Sequence, residues 1–212
     1  MLSAVNSTKY PYFDRSEIEP DREFIFKAYQ SLRPLKSGEA VPNFVLEKDN
    51  FRWQQFYNGV ETHGPVLLRQ LLNKPLVIAF YSNYWQAHGL NLLKQLNSIQ
   101  HEVRAHDANL LIISSEKERK LEKIAWDNNL SLSFYFDTEK EIAEKFGVYS
   151  ESDPIWNKFS GIDTNVPLLA TYAISPFGKI VYDHIDWDFS RPFPSQEIIS
   201  AISGAKPLIL NT

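Results

Sequence analysis

The chain has 212 residues, of which 43% are hydrophobic and 14% aromatic, and its 22 basic and 26 acidic residues give a net charge of −4. This length and composition predict one folded globular domain with extensions and exclude a disordered chain. No basic block is long enough to follow a nucleic-acid backbone, so we expect no nucleic-acid partner.

The sequence contains no cysteine. Disulfides, thiolate nucleophiles and zinc–thiolate sites are therefore excluded. No apolar run approaches the length of a transmembrane helix, and residues 1–20 lack the apolar region of a secretory signal. We therefore expect no membrane association and a cytoplasmic location.

The chain begins with an arm, residues 1–37, that has little regular periodicity at its start. Within it, residues 21–33 have a helical pattern that places Phe24, Ala28 and Leu32 on one face. We expect a short helix there and an ordered arm only where it docks on the rest of the protein.

The next segment is predicted to contain short elements only. Residues 38–46 read as a turn and a short strand, in which Phe44 and Leu46 alternate with polar neighbours. Residues 47–64 are an aromatic-rich loop that we expect to cover the body of the protein. A short helical turn is predicted over residues 66–72.

The stretch that follows is the centre of the predicted fold. Residues 76–81 are apolar without polar alternation, which is typical of a strand buried on both faces in a parallel sheet. Residues 82–89, which we call the corner, connect this strand to a long helix. The apolar residues of that helix recur at helical spacing. They are Leu92, Leu93, Leu96, Ile99 and Val103.

Strands and helices then alternate along the chain. Residues 109–115 are predicted to be a second buried strand, residues 116–128 a helix and residues 132–136 a third strand. Asp137, together with the threonine after it, is expected to cap a helix that ends at Gly147. This alternation is typical of a parallel or mixed sheet flanked by helices.

The C-terminal part is predicted to complete the sheet. Residues 148–165 read as a loop, and residues 168–174 and 179–187 as two strands. The short connection between these strands, residues 175–178, is rich in turn-forming residues and predicts an antiparallel hairpin. A closing helix is expected over residues 194–202.

This order of elements resembles the thioredoxin fold, and more narrowly the peroxiredoxin-like redoxins of the alkyl hydroperoxide reductase and thiol-specific antioxidant family. The resemblance implies an α/β, three-layer, thioredoxin-like fold: a central mixed sheet flanked by helices, over residues 38–204, with an N-terminal extension and a tail at 205–212. The stretches that carry it are PNFVL, KPLVIAFYSNYW, NLLIISSEKE, FYFDTEKEIAEKFGV and VPLLATYAISPFGKIVYDHIDWDFSRP.

The resemblance ends at the chemistry of the corner. In similar redoxins the strand ends in a Trp-Cys-x-x-Cys sequence, whose first cysteine attacks peroxide or a disulfide. Here Trp85 matches the tryptophan, while Gln86 and Gly89 occupy the two cysteine positions. A glutamine amide neither ionises nor acts as a nucleophile, so we predict no catalytic residue and no thiol chemistry at this position.

The resemblance also implies a binding site around the corner. Val166-Pro167 matches the position of a proline that faces the corner in thioredoxin folds, and we predict a cis peptide bond there. The candidate binding residues are Trp85, Gln86, His88, Pro167 and Arg191; the last matches an arginine found after the final strand in similar sequences. Such a site would take a small ligand or an extended peptide.

An alternative interpretation of the corner is structural. Trp85 and its neighbours would then be packed for stability, with His88 merely exposed in the first helical turn. We favour this interpretation over catalysis, because a shared fold alone is weak support for a shared function.

Two further groups of polar residues suggest no site. His184, Asp186 and Asp188 alternate along a predicted strand, but a straight strand spreads them too far apart to converge on one ion, so we predict no metal and no cofactor. The mixed charges of residues 116–123 are interpreted as a solvated helix face. The remaining histidines are scattered and predict no hydrolytic triad.

Aromatic residues outside the corner leave two interpretations open. The aromatic residues in 47–64, together with Trp156 and Phe159, would form either a dimer interface or a hydrophobic groove, or they would complete the core. We favour the interpretation that they complete the core.

For function we carry two hypotheses. The first is a non-catalytic homologue that acts as a binding or regulatory module for a small molecule or protein. The second is an antioxidant oxidoreductase that uses a partner's thiol or a non-cysteine group.

Overall fold

The secondary structure follows the predicted alternation of strands and helices. A computed structural model describes residues 29–47, 65–116 and 119–205 of the chain. The strands in these ranges are β1 (Val45–Leu46), β2 (Val66–Leu67), β3 (Leu76–Tyr81), β4 (Asn109–Ser114), β5 (Phe134–Phe136), β6 (Ala170–Ile174) and β7 (Ile180–Ile185). The α-helices are α1 (Leu68–Leu71), α2 (Gln86–Ala105), α3 (Arg119–Asp127), α4 (Glu141–Lys145) and α5 (Ser195–Gly204).

Within the described ranges, five strands form one mixed sheet in the order β5-β4-β3-β6-β7. The central strand β3 pairs in parallel with β4 and antiparallel with β6. β6 and β7 form the predicted antiparallel hairpin, with a register shift between Ala173 and Ile174. β1 and β2 form a separate antiparallel pair.

The central strand is buried on both faces, as its apolar run predicts. Every side chain from Leu76 to Tyr81 is buried. The Phe80 ring lies 5.1 Å from the ring of Phe146, just after α4, whereas the Tyr81 ring lies against Gly89 of α2 on the opposite face. The sheet is therefore the middle layer of three, which confirms the predicted fold class.

The helices on the α2 side are held by the predicted apolar faces. The five apolar residues singled out in the long helix are all buried. The closing helix α5 buries Ile198, Ile199 and Ile202 and packs against α2, β6 and β7. Apolar burial of this kind is the main source of stability for both helices.

Asp137 binds the first turn of α4 as predicted, although the helix begins later than predicted and its N-cap residue is Lys140. Its Oδ2 accepts hydrogen bonds from the backbone N–H groups of Ile142 and Ala143, at 3.0 and 2.9 Å. Burial raises the pKa of this carboxyl, and the two N–H groups oppose the shift. Gly147 ends the helical segment with a φ of +66°, a conformation in which glycine meets no Cβ penalty.

Several predicted boundaries are wrong. The part of the predicted N-terminal helix that is described, residues 29–33, is not helical; the rest of that helix and nearly all of the 47–64 loop lie outside the described residues. The helix predicted from residue 116 begins at Arg119, and the strand predicted over 132–136 begins at Phe134. Residues 66–67 pair as a strand before the predicted helical turn.

Candidate functional site

The corner is a compact connection between β3 and α2. Ser82 caps a single turn of 3-10 helix, Asn83–Trp85, by accepting a hydrogen bond from the N–H of Tyr84 at 3.2 Å. Gln86 then has a φ of +48°, a left-handed conformation that is uncommon for residues other than glycine. This turn of the backbone redirects the chain into α2 and leaves the Gln86 side chain exposed.

Glu116 fixes the corner from the neighbouring strand. Its carboxylate accepts hydrogen bonds from Ser82 Oγ at 2.7 Å, from the N–H of Asn83 at 3.1 Å and from Ser115 Oγ. The prediction that Glu116 belongs to a solvated helix face is therefore wrong. The residue lies before α3, half-buried, and joins the ends of β3 and β4.

Trp85 is the buried aromatic residue of the corner. Its side chain is 3% exposed, and its Nε1–H donates a hydrogen bond to the carbonyl oxygen of Pro167 at 2.7 Å. The ring also meets those of Phe159 and Phe189 nearly edge to face, with centroids 5.1 and 5.3 Å away. Trp85 thus connects the corner to three other segments of the chain, a packing role consistent with the structural interpretation.

The predicted cis bond before Pro167 is wrong. No peptide bond among the described residues is cis, so the Val166-Pro167 bond is trans. Trans is the intrinsically favoured isomer, by roughly 0.5–1 kcal/mol, and only the resemblance suggested otherwise. Pro167 is buried, and its carbonyl is already paired with Trp85.

An open cleft of about 440 Å³ lies over the corner. We call it the corner cleft, and its walls come from the corner, from residues 158–162 and from residues 187–189. The lining side chains that matter here are Tyr84, Gln86, His88, Phe159, Trp187 and Phe189. Pro167 and Arg191 are not part of the lining.

Aromatic rings form much of the wall of the corner cleft. The rings of Phe159 and Trp187 are parallel within 8°, with centroids 6.4 Å apart. His88 stacks on Phe189, with ring centroids 4.0 Å apart. Phe189 has a φ of +57° and donates its N–H to Asp186 Oδ1 at 2.9 Å, so this tight turn fixes the direction of its ring.

Sequence reasoning missed part of this wall. Trp187, Phe189 and Lys158 line the corner cleft, yet none is close to the corner in the sequence. The only available signal was the supply of aromatic residues in the 148–165 loop and after β7. Pattern alone does not say which residues of two distant loops meet, because that depends on the tertiary packing.

Gly89, which the sequence predicts to occupy the second cysteine position, has no room for a side chain. A Cβ built on this residue would lie 2.9 Å from Tyr81 Cε2, 3.0 Å from the Ser82 carbonyl oxygen and 3.3 Å from Trp85 Cβ. The Tyr81 ring is itself buried, so it cannot simply move aside. The helix therefore approaches the end of β3 more closely than any residue with a Cβ would permit.

Two charged residues of the corner cleft have hydrogen-bond partners. Lys158 Nζ lies 3.0 Å from Asp153 Oδ1. Asp188 accepts hydrogen bonds from the N–H and the hydroxyl of Ser190, at 3.0 and 2.7 Å, and these lower the pKa of its carboxyl. The charge of Lys158 is therefore compensated by an aspartate, whereas Asp188 keeps its negative charge because its serine partner is neutral.

The residues considered for a metal do not share a strand face. β7 ends at Ile185, and the chain then bends through residues 186–189. Burial lowers the pKa of His184 and raises that of Asp186. In the described ranges, no group of three or more histidine, aspartate or glutamate side chains is placed to hold a metal ion.

Residues 37–183 match the model of the AhpC/TSA family. Because this match spans most of the sequence, the chain belongs to the AhpC/TSA family. No curated protein sequence matches the chain significantly.

Solved structures of redox proteins share the fold. The peroxidoxin BcpB from Mycobacterium tuberculosis is 19% identical with a TM-score of 0.59, over 82% of this chain and 99% of that one. AhpC from Enterococcus faecalis is 15% identical with a TM-score of 0.59, over 81% and 92%. A putative thiol:disulfide interchange protein DsbE from Chlorobium tepidum is 15% identical with a TM-score of 0.54, over 81% and 98%.

The family and the fold are thus the ones that the sequence resembles. Likeness at these identities concerns the fold, whereas activity depends on the residues of the site. The family scaffold is present in a chain that has no cysteine. No helix in the described part of the chain is long and apolar enough to cross a membrane.

Proposed function

We propose that this chain is a non-catalytic member of its family that binds a small molecule in the corner cleft. The observation that carries the proposal is the open cleft of about 440 Å³ at the position of the family's thiol chemistry. This volume lies within the range of about 300–1,000 Å³ that is typical of small-molecule sites.

A cytoplasmic location remains a prediction, which cell fractionation would test.

Loss of thiol chemistry is supported by both substituted positions. Gln86 has an amide that cannot act as a thiolate, and Gly89 lies where any side chain would collide with Tyr81 and Ser82. The alternative, an antioxidant oxidoreductase that borrows a partner's thiol, has only the family resemblance in its favour. No contact in the described residues supports it.

A small molecule fits the corner better than an extended peptide. A peptide strand bound beside Pro167 would need free backbone groups to pair with. The Pro167 carbonyl is buried and already accepts the indole N–H of Trp85 at 2.7 Å. The corner cleft, in contrast, is bounded by side chains, with an exposed glutamine amide and aromatic rings.

Loss of peroxidase activity is tested by hydrogen peroxide consumption with dithiothreitol as the reductant. The unmodified protein is expected to consume peroxide no faster than a heat-denatured sample. The Gln86→Cys variant is the matched control, because a thiol at the start of α2 would have its pKa lowered by the helix N-terminus. Turnover by the unmodified protein above the denatured sample would contradict the proposal.

Binding is tested by screening a fragment library with ligand-observed NMR on the full chain. Fragments that bind the unmodified protein are expected not to bind Phe159→Ala, a variant that alters the corner cleft. They are expected to bind Phe177→Ala as they bind the unmodified protein. Phe177 is an exposed phenylalanine in the β6–β7 turn and does not line the corner cleft. Hits that bind both variants equally, or the absence of any hit, would overturn the proposed site.

A further inference from the structure

We propose that the corner cleft takes a planar heteroaromatic ligand that carries no negative charge. One face of the ligand stacks on Trp187, and an edge with adjacent hydrogen-bond donor and acceptor atoms meets the amide of Gln86. This inference deepens the proposed function and rests on it. It is carried by the aromatic walls, by the amide of Gln86 and by the charges of Asp188 and Lys158.

The stacking surface is provided by Trp187 and Phe159. Their rings are parallel within 8°, but the centroids lie 6.4 Å apart, farther than the roughly 3.5–4 Å between carbon atoms in full face-to-face contact. Each ring therefore leaves part of its face uncovered by the other. Trp187 is 43% exposed, so a flat ligand can reach it. Flat aromatic ligands gain most from such a surface.

The walls of the corner cleft are fixed before any ligand binds. Trp85 supports both Phe159 and Phe189 through edge-to-face contacts, and its own indole is held by Pro167. Phe189 is held further by its stack on His88. Because these rings are already ordered, binding costs little further side-chain entropy, which favours a rigid, flat ligand.

Gln86 provides the polar edge of the corner cleft. Its amide carries two donor hydrogens and one acceptor oxygen, and it has no hydrogen-bond partner within the described residues. A glutamine amide pairs best with an adjacent acceptor and donor, as it does with the edge of a purine base. A ring lactam offers the same arrangement, with its C=O and N–H side by side.

The charges around the corner cleft disfavour an anionic ligand. The ammonium of Lys158 is engaged by Asp153, whereas Asp188 keeps its negative charge because its Ser190 partner is neutral. An anion would be repelled by Asp188 and would lose its hydration on entering an aromatic cleft without gaining a counter-charge from Lys158.

The test uses three probes that differ in one feature each. 2-Quinolone is flat, neutral and has a single lactam edge; N-methyl-2-quinolone lacks the donor; 2-quinolone-6-carboxylate keeps the lactam edge and carries a negative charge. Affinities are measured by ligand-observed NMR on the full chain. We expect 2-quinolone to bind most tightly. The N-methyl probe should bind about 10-fold more weakly, a typical cost of losing one side of a paired edge, and the carboxylate probe should also bind more weakly because its charge finds no counter-charge in the corner cleft.

Two variants and two matched controls locate the site. Trp187→Ala removes the stacking face and is expected to weaken 2-quinolone by about 10-fold or more. Gln86→Leu should weaken 2-quinolone more than the N-methyl probe, which has already lost one side of the paired edge. The controls are Trp126→Ala, at a tryptophan that is 85% exposed and outside the corner cleft, and Gln196→Leu, at an exposed glutamine of α5. Both controls should bind 2-quinolone as the unmodified protein does.

The outcomes separate this inference from the proposed function. If 2-quinolone fails to bind while fragments of another class occupy the corner cleft, the ligand class is wrong and the proposed site stands. If no fragment of any class binds there, both are overturned. Equal weakening by a variant and its control, or equal binding of 2-quinolone and its N-methyl form to the unmodified protein, overturns the assigned contacts. The comparison of the three probes uses only the unmodified protein, so it does not depend on whether the variants fold.

Discussion

Gln86 and Gly89, the two residues predicted to occupy cysteine positions, differ in what the surrounding structure permits. Gln86 is exposed and begins α2, so a change of its side chain alters the surface of the corner cleft and little else. Gly89 is buried against Tyr81 and Ser82, so the same change there alters the packing of α2 on β3. Reintroducing both cysteines would therefore test packing as much as chemistry.

We predict that Gly89→Ala destabilises the protein. Alanine normally stabilises a helix interior by about 1 kcal/mol relative to glycine. The 2.9 Å approach to the buried Tyr81 ring should outweigh this gain, because overpacking typically costs about 1–3 kcal/mol. Urea unfolding followed by circular dichroism measures the difference.

Gly204→Ala is the matched control for that variant. Gly204 also lies in a helix, α5, but a Cβ there would meet no atom within 4 Å. This control is expected to be neutral or slightly stabilising. A Gly89→Ala variant as stable as Gly204→Ala would contradict the close packing of α2 against the corner.

At the scale of elements, the end of the N-terminal arm docks without forming a helix. The N–H of Leu32 donates to Asp153 Oδ2 at 2.9 Å, and the N–H of Leu35 donates to the carbonyl of Phe146 at 3.0 Å. A Cβ on Gly147 would lie only 1.9 Å from the Arg33 carbonyl oxygen. The described part of the arm is therefore held through its backbone N–H groups. In a helix these N–H groups would be paired internally and could not bond to the rest of the protein.

We predict that this docking weakens in acid through Asp153. The N–H of Leu32 and the ammonium of Lys158 lower the pKa of Asp153 below its ordinary value. The ionised carboxylate therefore stabilises the folded state above the unfolded pKa of about 3.9, and the stabilisation is lost as the pH falls through the lower folded pKa.

Asp153→Asn measures this contribution. The variant should be less stable than the unmodified protein at pH 7, and urea unfolding should show the deficit shrinking as the pH falls below about 4. Asp163→Asn, at an exposed aspartate, is the control and should change the free energy of unfolding little at either pH. A deficit for Asp153→Asn that is the same at pH 7 and pH 3 would contradict the assignment.

At the scale of the whole molecule, the two aromatic residues singled out in the described 148–165 loop divide between core and surface. Phe159 packs against Trp85 and Phe189, as expected of residues that complete the core. Trp156 is 47% exposed. Single exposed aromatic residues are normal on monomers, whereas a stable dimer buries about 800 Å² on each partner.

We therefore predict a monomer in size-exclusion chromatography with light scattering, at every concentration tested. Trp156→Ser should leave the measured mass unchanged, as should the control Trp126→Ser. A dimer that Trp156→Ser dissociates and Trp126→Ser does not would instead support the dimer interface that the sequence leaves open.

The division of the chain into an arm, a domain over residues 38–204 and a tail remains a prediction.

Local patterns were sufficient for most of the fold. The apolar run at Leu76–Tyr81, the helical spacing after the corner and the turn between β6 and β7 each lie within a short window of sequence. Strand and helix periodicities are properties of such windows. Boundaries such as the start of α3 were less accurate, because Glu116 bonds to the corner instead of beginning a helix.

The sequence by itself determined the family scaffold and the absence of its thiol chemistry, because both follow from residue identity and spacing. Only the tertiary structure decided which distant residues the corner contacts and which of its side chains are exposed. Trp85 and Pro167 are 82 positions apart, and their hydrogen bond, like the meeting of the corner with Phe159 and Trp187, depends on how distant segments pack. The same packing leaves no room at Gly89 and leaves the Gln86 amide open to a ligand.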